Sequence, residues 1–338
     1  MKCGIVDVGS NTIRLSIYQW EGRTFKLLMN KKEMAGLAGY IKNGVLSDSG
    51  ILVACRVLAG FKELLHNFDI ADLYVFGTAS LRNIVNTEEA LETIQAVTGV
   101  KVEVLSGADE AAFSFLGATV GGGAPGTGLL ADVGGGSTEL VAYQNGAITS
   151  GCSLPMGSLS LFTKYVSGLF PTREERKAIR AEVSTELEKA RTAGLQCDHL
   201  TGVGGTFRAA AKLCNDLSGA DPDNKVIPAE EIRSLYKGLK KGDQDTLKQI
   251  LRSVPDRVHT ILPGLAILKS ILDAYQVSTV TVSTCGVREG YLLHRVMGVT
   301  SHDEKRDRHP LHPGAGTVLA ALQRAGTGGG QGRARSPV

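Results

Sequence analysis

Two short segments of the chain place an aspartate, glycines and hydroxyl side chains in the same order. They read DVGSNT at residues 7–12 and DVGGGST at residues 132–138, and each follows an apolar strand pattern. A glycine-rich turn can expose consecutive backbone N–H groups to an anion, and a carboxylate at the end of the strand can hold Mg²⁺. One such turn is also typical of a ligand-free hairpin, but two copies in corresponding positions indicate phosphate binding. We therefore predict metal ligation by Asp7 and Asp132 and phosphate contacts from Ser10, Asn11, Gly134, Gly135, Gly136, Ser137 and Thr138.

Three further small-residue turns stand where a strand pattern meets a helix pattern. They occupy residues 77–80, 202–206 and 283–286, and the second includes Gly205. The N-terminus of a helix favours anions because its first N–H groups are unpaired. Each turn alone is an ordinary strand-to-helix junction, whereas the set indicates several phosphates in one cleft. The chain has no GxxxxGK[ST] segment, and its GxGxxG match at 121–126 precedes a strand, so neither a P-loop nor a dinucleotide site is predicted.

Two arginines and one acidic pair could complete such a site. Arg14 lies just past the first turn and Arg82 lies in the helix after the first junction, so each guanidinium could clamp a phosphate or simply lie at the surface. Asp109 and Glu110 lie in the first turn of another predicted helix. Either both acids complement the helix dipole, or Asp109 caps the helix while Glu110 faces the cleft as a general base.

The elements around these residues repeat along the chain. Each Asp-x-Gly turn joins the first two strands of a predicted three-stranded unit, and helices alternating with single strands follow each unit. This pattern predicts an α/β fold of two similar lobes that present their turns to a shared cleft. The glycine-rich segment at 121–126 is typical of a linker. We therefore predict an N-terminal lobe at 1–122, a C-terminal lobe at 123–300 and a partly disordered tail at 301–338.

The composition is that of an ordinary globular protein, with 43% hydrophobic and 21% charged residues, which excludes wholesale disorder and a fibrous repeat. The formal net charge is +3, and the tail at 301–338 alone holds six basic and three acidic residues. The remainder is therefore formally neutral, and no nucleic-acid partner is predicted. No apolar run reaches the ~18 residues of a membrane helix, and the N-terminus enters a strand pattern directly. We predict a cytoplasmic protein without a membrane partner.

Taken together, these motifs resemble those of the exopolyphosphatase and guanosine pentaphosphate phosphatase family, within the acetate-kinase, sugar-kinase, Hsp70 and actin superfamily. The matching segments occur in the family's order between residue 3 and about residue 297. They are DVGSNTIR at 7–14, TASLR at 78–82, LSGADEA at 105–111, DVGGGSTE at 132–139, LPMG at 154–157, GVGGT at 202–206 and GVREG at 286–290.

The resemblance implies two actin-like, ribonuclease H-like lobes flanking an active-site cleft, and hydrolysis of a terminal phosphoanhydride. It implies that Glu110 is the catalytic carboxylate and that Asp132 and Glu139 serve catalysis and Mg²⁺ (or Mn²⁺) binding. The chain departs from the family at Asp109, where Glu is usual, and at His259, where Asp is common. The family's phosphate-contacting positions fall on Asn11, Arg14, Arg82 and Ser137.

The resemblance favours an exopolyphosphatase that releases orthophosphate from inorganic polyphosphate, with Glu110 activating water for in-line attack. Guanosine pentaphosphate is an alternative substrate, because both molecules end in the same group. An ATP-dependent kinase is a second alternative, since the turn at 202–206 resembles the adenosine-side turn of the superfamily. A non-catalytic phosphate-chain sensor is a third. The sequence leaves the oligomeric state open, a homodimer included.

Overall fold

The computed structural model describes residues 1–22, 24–120, 126–190, 192 and 194–299. Most of the predicted linker at 121–126 and the whole predicted tail at 301–338 therefore lie outside the described residues. The described chain forms two α/β lobes, each built on one mixed sheet with helices packed against it.

The first lobe begins with three long strands and ends with a helix that leads towards the second lobe. Its elements are β1 (Lys2–Val8), β2 (Ile13–Glu21), β3 (Thr24–Glu33), β4 (Ile41–Lys42), β5 (Val45–Leu46), α1 (Asp48–Asn67), β6 (Leu73–Gly77), α2 (Ala79–Arg82), α3 (Thr87–Thr98), β7 (Glu103–Val104) and α4 (Gly107–Thr119).

The second lobe repeats the three-strand opening and adds more helices. Its elements are β8 (Thr127–Val133), β9 (Thr138–Gln144), β10 (Ala147–Leu154), α5 (Ser158–Tyr165), α6 (Arg173–Lys189), β11 (His199–Val203), α7 (Gly204–Ser218), β12 (Val226–Pro228), α8 (Ala229–Leu239), α9 (Gln244–Ser253), α10 (Ile261–Ala274), β13 (Thr279–Val282) and α11 (Val287–Tyr291), which continues as a π-helical turn, Leu292–Val296.

The two sheets have the same strand order over five strands, which confirms the predicted actin-like lobes. The first sheet is ordered β3-β2-β1-β6-β7, and the second is ordered β10-β9-β8-β11-β13, with β12 added at its edge. Strand β1 is antiparallel to β2 and parallel to β6. Strand β8 is likewise antiparallel to β9 and parallel to β11. The register sets Asp7 opposite Arg14 and Asp132 opposite Glu139. The two turns therefore carry their functional side chains on paired strand ends.

Each lobe has its own apolar core between sheet and helices. Helix α1 buries Ile51, Leu58, Phe61 and Leu65, whose spacing places them on one face. Helix α10 is buried over almost its whole length in the second lobe, which explains why nearly every residue in it is apolar. Within the described ranges, none of the helices combines the length and apolar composition needed to cross a bilayer.

Two elements differ in extent from what the sequence pattern predicts. The apolar residues at 100–105 predict a strand, but only Glu103–Val104 pairs, because the valines at 100 and 102 are buried against the first core outside the strand ladder. The helix predicted from Ala79 ends at Arg82, and a separate helix begins at Thr87. Helices α5, α8 and α9 and strand β12 were not predicted.

Helix α11 returns from the second lobe and packs against α4, the last helix of the first lobe. The two backbones approach so closely that a Cβ on Gly290 would lie 1.9 Å from the carbonyl oxygen of Phe113. A Cβ on Gly117 would lie equally close, 1.9 Å, to the carbonyl oxygen of Gly286. The contact is therefore possible because each helix places a glycine against the backbone of the opposite segment.

We expect Gly290→Ala to lower the free energy of unfolding by roughly 3 kcal/mol, because the obstructing atom belongs to a helix backbone and cannot swing aside. Gly60→Ala in α1 is the matched control, since a Cβ there meets no atom within 4 Å. This control should stabilise the protein by about 0.5–1 kcal/mol. Urea unfolding followed by circular dichroism measures both variants, and a wild-type midpoint for Gly290→Ala would contradict the close docking of α11 on α4.

Candidate active site

One cavity of about 140 Å³ lies between the lobes and is lined by both of them. The two Asp-x-Gly turns, the turn at 202–206 and the start of α11 all contribute to its wall. The sequence-predicted residues that line it are Asp7, Ser10, Asn11, Arg14, Glu110, Asp132, Gly134, Gly135, Gly136, Ser137, Glu139 and Gly205. Arg82 and Thr138 are the predicted site residues that do not line it.

The two Asp-x-Gly turns face each other across the cavity. A Cβ built on Gly136 would lie 2.4 Å from the hydroxyl oxygen of Ser10 and 3.4 Å from its Cβ, so the two turns are in close contact. The carbonyl of Gly135 accepts the backbone N–H groups of Leu159 and Ser160 at 2.9 Å, which fastens the second turn to the start of α5. The hydroxyl of Thr138 donates to the carbonyl of Met156 at 2.7 Å, so this side chain holds the turn from behind.

Helix α4 places one carboxylate in the cavity and keeps its neighbour outside. The hydroxyl of Ser106 accepts the backbone N–H of Asp109 at 3.1 Å and donates to the Asp109 carboxylate at 2.7 Å, so Asp109 belongs to the helix cap. Glu110, one residue later and turned by about 100° around the helix, is 7% exposed and points into the cavity. The two acids therefore lie as the second alternative places them, with Asp109 at the cap and Glu110 in the cleft, and the general-base role of Glu110 stays a prediction.

A hydrogen-bonded chain links the two glutamates of the site. The Arg82 guanidinium donates to the Glu110 carboxylate at 2.7 Å and to the hydroxyl of Ser153 at 3.3 Å. The Ser153 hydroxyl donates to the Glu139 carboxylate at 2.7 Å. Arg82 also donates to the carbonyl of Leu105 at 3.0 Å, which fixes its orientation. Arg82 therefore positions a carboxylate from behind the cavity wall.

Four of the carboxyl groups that line the cavity hold their protons more strongly than ordinary side chains. Burial raises the pKa of Asp7 to about 6, although Arg288 and Arg14 oppose the rise. Burial raises the pKa of Glu110 to about 7 against the opposing effect of Arg82. The pKa of Asp132 is raised by burial, and that of Glu139 is raised well above its usual range by burial and then by the nearby Glu110 and Asp132. The site therefore concentrates negative charge that a cation would relieve.

The donor set fits Mg²⁺ bound together with phosphate. No group of three or more His, Cys, Asp or Glu side chains within the described ranges has the arrangement of a preformed metal site. Mg²⁺ is commonly held by one or two carboxylates while water and substrate phosphates complete its shell. Asp132 lines the cavity and is oriented by a 2.7 Å hydrogen bond from Ser114, and Asp7 lines the same cavity. The hard oxygen donors of these two residues suit that mode of binding.

We expect Mg²⁺ to stabilise the protein more at pH 8 than at pH 5.5. The folded protein holds a proton on Asp7 below about pH 6 and on Glu110 below about pH 7, and a metal ion must displace the protons of its ligands. At about one hundred times its Kd, a ligand stabilises by about 2.7 kcal/mol, or roughly 5 °C in Tm for a chain of this size. Thermal melts at both pH values test this, with Asp132→Asn as the variant that should lose the shift; an equal shift at both pH values would contradict it.

Four arginines line the same cavity, and sequence analysis singled out only one of them as a site residue. Arg14, Arg208, Arg257 and Arg288 lie close enough to affect one another, since burial and then the neighbouring guanidinium of Arg288 lower the pKa values of Arg14 and Arg208. Arg208 and Arg288 lie in the first turn of α7 and α11, directly after two of the predicted phosphate turns. A basic residue in the helix turn after each glycine turn was the signal that could have found them.

Arg257 covers the glycine turn at 202–206. A Cβ on Gly205 would lie 1.9 Å from a guanidinium nitrogen of Arg257, so the two are in direct contact. The neighbouring residue Asp256 bonds Lys32 of β3, which ties this segment of the second lobe to the first. His259 is exposed and its ring packs 5.4 Å from that of Phe162, away from the cavity.

Comparison with known proteins identifies the family to which the chain is similar. The model of the Ppx/GppA phosphatase family matches residues 16–297. A Haemophilus influenzae protein provisionally named an exopolyphosphatase is 28% identical over 292 residues, which cover 85% of this chain and 89% of the relative. Exopolyphosphatase 1 of Mycobacterium tuberculosis is 24% identical over 308 residues, covering 88% of each chain.

Solved structures of the same family are similar to this chain in fold. The crystal structure of the Aquifex aeolicus Ppx/GppA family member has a TM-score of 0.72 and 27% identity, and the match covers 88% of this chain and 98% of that one. An exopolyphosphatase structure from Cytophaga hutchinsonii has a TM-score of 0.78 at 22% identity, covering 88% and 99%, which shows that the fold is shared.

Proposed function

Because the chain belongs to the Ppx/GppA phosphatase family and is therefore a phosphatase, we propose that it is an exopolyphosphatase that removes the terminal phosphate of inorganic polyphosphate as orthophosphate. One observation carries the proposal. A buried carboxylate with a pKa of about 7, Glu110, is aimed by Arg82 into a cavity walled by glycine turns and arginines. A base with a pKa near the working pH is the most effective proton acceptor.

The chain's own residues account for most of the reaction. The turns at 7–12 and 132–138 receive the terminal phosphate, and Arg14, Arg208 and Arg288 neutralise the phosphates behind it. Glu110 accepts a proton from water as the water oxygen bonds to the terminal phosphorus and the bridging P–O bond breaks. The products are orthophosphate and a chain shorter by one unit. Mg²⁺ or Mn²⁺, held by Asp7 and Asp132 with Glu139 nearby, would neutralise charge on the phosphate oxygens.

The wall of the cavity supports a phosphate chain over a nucleotide. None of the described side chains lining it is aromatic, so a guanine or adenine base finds no stacking surface there. Arg257 occupies the space directly above Gly205, in the turn that resembles the adenosine-side turn of related kinases. A linear polyanion needs only the cations and N–H groups that the cavity supplies. A cytoplasmic location stays a prediction from the sequence, and the oligomeric state stays open.

Parallel initial rates test the proposal. Orthophosphate release is measured with long-chain polyphosphate, tripolyphosphate, guanosine pentaphosphate and ATP at one Mg²⁺ concentration. We expect kcat/KM for long-chain polyphosphate to exceed that for guanosine pentaphosphate by about tenfold or more. A preference for guanosine pentaphosphate would replace the proposal with the nucleotide phosphatase. Phosphate transfer from ATP to an acceptor would indicate a kinase, and binding without turnover would indicate a sensor.

A further inference from the structure

A second cavity, larger than the first, lies on the outer side of the second lobe between α6, α8 and α10. It measures about 390 Å³, and seven of its ten lining residues are Arg or Lys. None of these residues lines the cavity between the lobes. We call it the basic groove, and define it by Arg173, Arg176, Arg180, Lys237 and Lys240 together with the paired cations Arg233 and Lys269.

Two of the seven cations are neutralised by neighbouring acids. The Arg233 guanidinium bonds Asp273 at 2.9 Å and lies 3.7 Å from Glu230. Lys269 bonds the other oxygen of Asp273. The Arg233–Asp273 pair holds α8 against α10, and Lys269 bonds the same carboxylate from within α10, so both cations have a structural role.

The other five cations have no acidic partner within the described ranges. Arg173, Arg176 and Arg180 follow one another at helical spacing along a single face of α6. Lys237 and Lys240 lie at the end of α8. Burial raises the pKa of Tyr236 in α8, and the nearby Arg180 and Arg176 oppose this rise, so the charges of α6 lie close to α8. Among the residues that the structure describes, the only side-chain hydrogen bond of this set runs from Arg176 to the carbonyl of Pro171, at 2.6 Å.

Like charges at this spacing destabilise the fold. Repulsion between cations three and four residues apart on a helix costs a few tenths of a kcal/mol per pair, and charges facing one another from a second helix add to it. Nothing in the packing compensates for this, because Arg173, Arg180, Lys237 and Lys240 are exposed. An arrangement that opposes folding and concentrates charge around a concave surface is typical of an anion-binding site.

We propose that the basic groove is a second binding site for inorganic polyphosphate, separate from the cavity between the lobes. This inference rests on the proposed function for the identity of the polyanion. The only aromatic residue of the groove, Tyr236, is buried, so the groove lacks the exposed rings on which single-stranded nucleic acids stack. The chain's own tail at 301–338 carries six basic and three acidic residues and is a poor counterion for the groove.

Equilibrium binding of long-chain polyphosphate to the full chain tests the inference, in buffer with EDTA so that Mg²⁺-dependent turnover does not interfere. The test variant combines R173Q, R180Q, K237Q and K240Q, which are exposed positions outside the catalytic cavity. We expect its affinity to fall about tenfold or more, and the slope of log affinity against log salt to fall by roughly 0.7 for each cation that contacts the chain. Wild-type affinity and salt slope in this variant would overturn the inference.

A matched control separates the position of the charges from their number. It combines K26Q, K42Q, R56Q and K101Q, which remove four exposed cations from the first lobe and none from the groove. This control should bind long-chain polyphosphate as the wild type does. An equal loss in both variants would show that net charge alone governs binding, and would overturn the assignment to the groove.

Two further measurements distinguish this inference from the proposed function and from nucleic-acid binding. Hydrolysis of tripolyphosphate should be unchanged within about twofold in the groove variant, because so short a chain needs only the cavity. If the wild type hydrolyses no polyphosphate while the groove variant still loses affinity for it, the proposed function fails and the second site stands. If a single-stranded oligonucleotide with the same number of phosphates binds the groove more tightly than polyphosphate, the groove is a nucleic-acid site and the inference fails.

Discussion

Glu110→Gln should lower the rate of orthophosphate release by about 10²- to 10⁴-fold at pH 7, the range that a positioned general base contributes. Glutamine keeps the size of the side chain and can still accept the hydrogen bond that Arg82 donates at 2.7 Å, so the cavity should keep its shape. What is lost is the ability to take a proton from water. The measurement is phosphate release from long-chain polyphosphate at saturating Mg²⁺, with a thermal melt to show that the variant is folded.

The neighbouring acid provides the matched control for this prediction. Asp109→Asn changes the same charge one residue away, at a position where the structure shows only helix capping. Asparagine keeps an oxygen that can accept the hydrogen bond from the Ser106 hydroxyl, so activity should stay within about twofold of the wild type and stability within about 1 kcal/mol. Near wild-type turnover in Glu110→Gln would remove Glu110 from the mechanism.

Arg82→Gln should shift the pH dependence of the reaction and leave the chemistry otherwise intact. Arg82 is the main group that opposes the rise in the pKa of Glu110 caused by burial. A neighbouring cation lowers a carboxyl pKa by about 1 to 3, so without it Glu110 is protonated at pH 7 and the rate falls by about tenfold or more. Because a base acts only when deprotonated, activity should recover as the pH rises above the new pKa, and the acid limb of the kcat profile should move to higher pH.

A merely structural role for Arg82 would produce a different result. It would lower the rate by the same factor at every pH, without moving the limb of the profile. Arg82→Lys keeps a positive charge beside Glu110 and should restore most of the wild-type profile, although it loses the bonds to Ser153 and Leu105 that the guanidinium fork makes. A profile for Arg82→Gln that is parallel to the wild type would contradict the positioning role.

The site could be predicted from the sequence where its chemistry is local. The phosphate contacts and metal ligands predicted in the two Asp-x-Gly turns come from residues that follow one another along the chain. The different directions of Asp109 and Glu110 follow from the 100° rotation between neighbours on a helix. The repetition of the Asp-x-Gly turn also predicted two similar lobes. The shared strand order of the two sheets confirms this.

The sequence was insufficient where distant elements meet. Arg208, Arg257 and Arg288 enter the cavity from three separate segments of the second lobe, and only the fold brings them beside Arg14. Arg82 was predicted as a phosphate contact from its position in the helix after the first junction and from the resemblance, and that contact stays a prediction. In the structure its guanidinium bonds Glu110 and Ser153. A single side-chain rotation decides between those roles, and no local pattern encodes it.

Net charge was similarly uninformative because opposite charges are separated in space. The residues before the tail are formally neutral, yet the structure gathers acids and arginines in the cavity between the lobes. It also places five cations without an acidic partner among the described residues in a groove on the second lobe. The net charge of the residues before the tail sums positive and negative residues to zero, whereas the fold places them in separate clusters. Local clusters, which attract a polyanion over short distances, therefore carry the functional information.

The central claim is that water attacks the terminal phosphorus of a phosphate chain in the cavity between the lobes. Hydrolysis of long-chain polyphosphate in ¹⁸O-labelled water, with mass analysis of the products, tests it most directly. The claim predicts orthophosphate as the only small product, with one ¹⁸O atom in each molecule released, and remaining chains that shorten from the end. Short polyphosphate fragments, or phosphate released without the label, would contradict it.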